Sequence, residues 1–302
     1  MRRSDFKNSS YDIVYTDNPP YVRMDYEERS RLDEILLEPD VLAVMGFGDR
    51  TTRGYDDRLI MLGMPELGGH HTIEVWRAAE PVVQESYEGI VVSRTGDYLF
   101  GSLILEEDDG QIDLTDISED VYTRLITMIR LQGYPHLLRM WNYFSHINVD
   151  TFGLERYQQF CHGRHNALDK LALPDSTLPA ASALGTHASG LVVCFLAAKE
   201  AGTQIENPRQ VSAFCYPKQY APRSPSFSRA VFKRCRTSAR SRLYISGTAS
   251  IVGHETRHIG DIEKQLDETL KNIEVLIEEG IKTQSMDRTE INPVTSLKVY
   301  LR

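Results

Sequence analysis

The feature that most constrains this chain is a succession of short apolar segments, each too brief for a helix and rich in β-branched and aromatic residues. "VLAVMGFGD" (residues 41–49), "TIEVWRA", "YEGIVVSR" and "DYLFGSLILEE" follow one another in the first third of the sequence. Such segments read as strands, and the turn residues that close them read as hairpin connections. Thr95-Gly96-Asp97 supplies the turn between the last two. The period then changes. In "DLTDISEDVYTRLITMIRLQGY", Val121, Leu125, Met128 and Ile129 fall on one helical face, with Ser118 as the expected start and Gly133 as the stop.

Strand and helix patterns continue to alternate. "HLLRMWNYFSHIN" reads as a strand with Arg139, Trp141 and Tyr143 on one face and Asn142 on the other. "GLERYQQFCHGRHNALDKL" reads as a helix and "GLVVCFLAAK" as a buried strand. Further strands are expected at "QVSAFCY", "SFSRAVF", "RLYISGTAS" and "SLKVYLR". The clearest amphipathic pattern is Ile262, Leu266, Leu270, Ile273 and Ile277, with Asp261 as its N-cap and Gly280 as its end. The expected class is α/β (α+β), with mixed sheets packed against helices. Two α+β halves are expected, 1–150 and 151–302.

Composition excludes several functions. A net charge of −9 lacks the basic footprint that nucleic-acid binding requires. No apolar run approaches a membrane span, and the N-terminus has no apolar signal core, so a cytoplasmic chain without membrane contact is expected. The four cysteines are widely spaced and read as reduced thiols.

His254-Glu255-Thr-Arg-His258 matches the H-E-x-x-H pattern of zinc peptidases, with Glu278 at a spacing that suits a third ligand. That chemistry needs both histidines one turn apart on one helix. Gly247 and Gly253 precede the motif, Gly260 follows it, and the helical period begins only after Asp261. The motif therefore reads as a strand-to-helix connection, and zinc is the weaker alternative.

A stronger signal is electrostatic. No Asp or Glu occurs between Glu206 and Glu255, while nine Lys or Arg residues do, among them Arg209, Arg223, Arg229 and Arg242. Arginine forks pair with carboxylates, and the prolines and Tyr216, Tyr220 and Phe227 interleaved among them suit a stiff, aromatic-walled anion pocket. On the preceding helix, Arg156, Phe160, Gly163 and Arg164 share a face.

Four segments carry a resemblance: "GYPHLLRMWNYFSHIN", "GLERYQQFCHGRHNAL", "ENPRQVSAFCYPKQYAPRSPSFSRA" and "YISGTASIVGHETRHIGDIEKQLDETLKNIEVLI". They resemble the chorismatase family, also labelled pteridine-dependent dioxygenase-like. The resemblance implies a YjgF/RidA-like architecture, a monomer that approximates a trimer within one chain, and no metal or redox cofactor. It implies chorismate as substrate and release of pyruvate, with either a dihydroxycyclohexadiene carboxylate or 3-hydroxybenzoate, sometimes with 4-hydroxybenzoate. Carried over by motif, Arg164, Tyr216, Tyr220, Arg223 and Arg229 bind substrate, and Gly247 and His254 organise the pocket. The family's general acid is a glutamate on a further strand, beyond one more helix. This sequence stops at Arg302, so the expectation is that the chain is truncated, that another group such as Glu255 substitutes, or that it does not catalyse. A non-catalytic binder of cyclic dicarboxylates is the other alternative.

Overall fold

The computed structural model describes residues 21–68, 71–106, 112–217, 223–235, 241–285 and 296–301. The first apolar segments form sheet A, from β1 (Arg23–Glu28), β2 (Val41–Phe47), β3 (Thr52–Arg53), β4 (Leu59–Leu62) and β5 (Thr72–Arg77), in spatial order β1-β5-β2-β4-β3. β2 and β4 run parallel and the other neighbours antiparallel. A short helix, α1 (Leu32–Leu36), buries Ile35 and Leu36 with Val44, Ile73 and Val75 on the outer face of this sheet.

Sheet B contains β6 (Val83–Tyr87), β7 (Ile90–Arg94), β8 (Tyr98–Leu105) and β9 (His136–Ser145), with α2 (Leu114–Leu131) between the last two. A small hairpin, β10 (Asp150–Thr151) and β11 (Leu154–Glu155), leads into α3 (Arg156–Lys170). β12 (Ala180–Thr186) and β13 (Leu191–Ala198) complete a sheet ordered β12-β9-β13-β8-β7-β6. β12 pairs parallel to β9 and is the edge strand. The sheet therefore takes strands from both sides of residue 150.

Strand alternation decides what each face packs against. Trp141, Tyr143, Phe100 and Cys194 face sheet A, joining Trp76, Met45 and Leu62 in one core. Met140, Phe144, Val193 and Phe195 face α2 and α3, joining Leu125, Ile129 and Phe160 in another. The expected helices and most expected strands are present. α2 begins earlier than expected: Asp113 accepts a bond from Thr115 N (2.8 Å), so the capping carboxylate precedes Ser118, which is buried inside the helix. Gly133 follows the helix in the left-handed region (φ 81°).

The remaining elements are β14 (Thr203–Ile205), β15 (Ala230–Lys233) and β16 (Arg242–Ile245), a three-stranded antiparallel sheet. After it come the hairpin β17 (Ile251–Val252) and β18 (Glu255–Thr256), then α4 (Ile262–Thr283). Asp261 caps α4 through Lys264 N (3.1 Å), so His254-Glu255-Thr-Arg-His258 is a hairpin turn and connection that precedes the helix. Three details differ from the sequence reading. "QVSAFCY" forms only a single 3-10 turn at Ala213–Cys215, because Val211 N is bonded to Gly253 O and Cys215 N folds back to Ser212 O. α4 runs through Gly280, where the bare backbone faces Leu243. Residues 296–301 take no strand pairing.

The apolar stripe on α4 has a destination that the sequence reading leaves open. Ile262, Leu266, Leu270, Ile273 and Ile277 line a cavity. Leu276 is the side chain that packs into the small sheet, with Ile205, Ala230 and Phe232.

Candidate active site

The cavity is about 930 Å³ and lies between the β12 edge of sheet B, α4 and the β1–β5 side of sheet A. It is built from the edge outward. Ser246 Oγ accepts from Ala181 N (2.8 Å) and donates to Ser228 O (2.5 Å), and Gly247 N donates to Ala181 O (3.0 Å). These bonds stitch the residue 246–247 turn to β12 and bring Gly247 into the lining beside Ser182, Ala183 and Leu184. A Cβ at Gly247 would stand 3.2 Å from Ser182 Oγ, so the close approach favours glycine. Asn272, fully buried on α4, donates to Ala249 O (3.1 Å) and Ile251 O (2.9 Å), which fixes the rest of this turn.

α3 supplies Tyr157, Phe160 and Arg164. Its position is set by Gly163, where an added Cβ would lie 2.0 Å from Thr115 O of α2. The Arg164 guanidinium is 4% exposed and stacks over the Phe160 and Tyr122 rings at 5.4 and 5.7 Å. Its Nε has no hydrogen-bond partner, and no carboxylate pairs with it among the described residues. A buried cation without a counter-ion is costly unless something else supplies the charge. Burial also pushes the neighbouring Cys161 thiol and Tyr157 phenol up, so both keep their protons at neutral pH.

The expected site residues fall into groups. Arg164 and Gly247 line the cavity. Arg229 stands behind Phe227: it stacks on Phe227 and Tyr216 at 5.5 and 5.4 Å and donates to Tyr216 Oη (2.8 Å) and Val211 O (2.7 Å). Phe227 itself reaches the cavity, so Arg229 and Tyr216 form a wall's backing rather than its surface. Arg223 is exposed and outside the lining, and Tyr220 lies outside the described residues. His254 sits at the β17–β18 turn. Glu255 is exposed, paired with Arg257 (3.0 Å), and the structure does not bring it to the cavity. His258 contacts Glu268 of α4 (3.4 Å).

The structure adds residues to the lining that motif reasoning did not assign to the site: Arg139, Trp141 and Ser182, with Glu74 and Lys298 beyond them. Glu74, fully buried on β5, pairs with Lys298 (2.8 Å). The alternation of "HLLRMWNYF" already put Arg139 and Trp141 on one face. Only the pairing of β9 with β12 shows that this face ends at a cavity.

A family model described as chorismatase FkbO/Hyg5-like, N-terminal, matches residues 74–197. A chorismatase of Streptomyces hygroscopicus is 37% identical over 294 residues, which cover 94% of this chain and 82% of that one. This chain belongs to the chorismatase family. A chorismatase of Streptomyces rapamycinicus is 40% identical over 234 residues, covering 76% of this chain and 69% of its own length. A 3-hydroxybenzoate synthase of Streptomyces hygroscopicus is 34% identical, covering 76% and 68%. The fold agrees: the crystal structure of a chorismatase superposes with a TM-score of 0.80 at 32% identity, over 90% of this chain and 82% of that one. The "VVCFL" strand, the "LLRMWNYF" strand and α3 with Arg164 all lie inside the residues that the chorismatase family model matches.

Proposed function

We propose that this chain cleaves the enolpyruvyl ether of chorismate and releases pyruvate. The observation that carries the reading is Arg164, a buried guanidinium on a large cavity whose charge no carboxylate of the described protein neutralises. A ligand carboxylate satisfies it by a charge-assisted, two-pronged bond. Phe160 and Phe227 give the cavity flat apolar walls that suit a cyclohexadiene ring.

Cleavage requires a proton at the terminal methylene of the enol ether. The oxocarbenium ion so formed takes water at its central carbon, and the hemiketal collapses to pyruvate while the ring oxygen keeps the bonding pair and a proton. If the neighbouring ring hydroxyl instead attacks the ring carbon that bears the ether, that C–O bond breaks with its electron pair on the departing pyruvate, the hydroxyl loses its proton, and the epoxide so formed opens and aromatises to 3-hydroxybenzoate. Which ring product leaves is the finer question, and one relative is named for the second outcome. Glu255 is the acid that the sequence suggests. Its exposed pairing with Arg257 does not favour that role.

The test is incubation with chorismate and coupled detection of pyruvate, with and without a chelator. Pyruvate release unaffected by the chelator supports the reading. Thermal stabilisation by chorismate without pyruvate would make the chain a binder rather than an enzyme. Neither turnover nor stabilisation would overturn both.

A further inference from the structure

Arg139 is a second buried cation on the same cavity, and the elements around it place it opposite Arg164. On β9, Arg139, Trp141 and Tyr143 point to the sheet A side, whereas Asn142 points to the helix side, where it accepts from Tyr122 Oη (2.7 Å). Arg164 stacks on that same Tyr122. The two guanidiniums therefore reach one cavity from opposite faces of sheet B, around the edge strand β12, whose Ser182 and Ala183 line the space between them.

Arg139 is 7% exposed, and its side chain is held without being neutralised. Nη1 donates to Met140 O (2.7 Å), Nη2 donates to Ser182 Oγ (2.6 Å), and the Trp141 ring supports the guanidinium at 4.9 Å. These partners are neutral. They use two of the five N–H donors and leave three without a protein acceptor among the described residues. The buried carboxylate on the cavity, Glu74, attracts Arg139 through its charge, but its ion pair is with Lys298 (2.8 Å). Burial pushes Arg139 down to about 10, which still leaves it charged at neutral pH. A fixed fork with free donors, braced by an aromatic plane and facing a cavity, is built to receive a carboxylate.

We propose that Arg139 is a second carboxylate-binding residue, so that a ring dicarboxylate straddles the β12 edge with one carboxylate on Arg164 and the other on Arg139. This inference rests on the reading of the cavity as a chorismate site and adds to it how the second carboxylate is held. It gives the cavity selectivity for diacids over monoacids, because a monoacid leaves one arginine unpaired.

The test uses two readouts on Arg139→Gln and Arg139→Lys. In the pyruvate assay, Arg139→Gln is expected to raise KM for chorismate by about 10-fold or more while kcat changes little, and Arg139→Lys to recover part of the loss. The second readout is tryptophan fluorescence. The sequence has two tryptophans, Trp141 beneath Arg139 and Trp76 against it at 5.1 Å, so a carboxylate arriving at Arg139 changes the signal. That change is expected on titrating the unaltered chain with chorismate and not on titrating Arg139→Gln. Unchanged KM and unchanged fluorescence response in both folded variants would overturn the proposal. If Arg139→Gln does not fold, Arg139→Lys and Ser182→Ala decide: a raised KM in both supports it, and unaltered KM in both sinks it. Should the unaltered chain release no pyruvate, the fluorescence titration separates the two readings. An Arg139-dependent response supports the subsite even though catalysis fails, and no response at all overturns the subsite as well.

Discussion

At the scale of single residues, the site separates what holds charge from what holds shape. Arg164 contributes a buried charge that the described protein does not neutralise, and such a group is a burden on the empty fold. Arg164→Met is therefore expected to lose catalytic efficiency by roughly 10- to 100-fold, the equivalent of one charge-assisted bond, without lowering the melting temperature. A thermal melt beside a kinetic assay checks both halves, and a fall in stability as large as the fall in activity would make Arg164 a structural residue. Glu255 is the converse case. It is exposed and paired with Arg257, so Glu255→Gln is expected to keep pyruvate release within about 2-fold, as is usual for a surface ion pair. Loss of turnover in that variant would return the acid to the position that the sequence suggested.

At the scale of elements, helix packing sets where the charge stands. α2 and α3 approach so closely at Gly163 that a methyl group would meet Thr115 O at 2.0 Å and Glu119 N at 2.9 Å. These are backbone atoms and cannot rotate away, so Gly163→Ala is expected to destabilise the fold by about 1–3 kcal/mol. It should also move Arg164, which follows it directly, and reduce activity beyond what stability explains. Chemical denaturation and a pyruvate assay on the same sample test this. α4 shows how an element can be legible while its destination is not. Its period, its Asp261 cap and its apolar stripe were all visible in the letters, and the helix is there. The stripe's destination was not visible, because an amphipathic face looks the same whether it meets a core or a cavity. Gly280 is a related case: glycine ends helices often, but here it lies within the last turns of α4, beside Leu243.

At the scale of the molecule, local signals were legible and long-range pairing was not. β2, β5, β8, β9 and β13 each announced themselves by a dense apolar run. Nothing in those runs says that β9 lies between β12 and β13, since register and neighbour are fixed by contacts between distant residues. For the same reason Arg164 is legible through its motif, whereas Arg139 reads only as one face of a strand until its pairing with β12 is known. Arg229 and Tyr216 were expected together and do lie together, but one layer behind the wall.

The six-stranded sheet also bears on how the gene can be divided. β9 precedes residue 150, and both of its partners follow it. A polypeptide ending at 150 would expose two unpaired edges of its most buried strand, and the complementary piece would carry β12 and β13 with no template between them. Expressed separately, each fragment should be insoluble. Expressed together in one cell they should reassemble, with recovery of pyruvate release as the measure. Soluble, monomeric fragments would mean that the two stretches fold without each other.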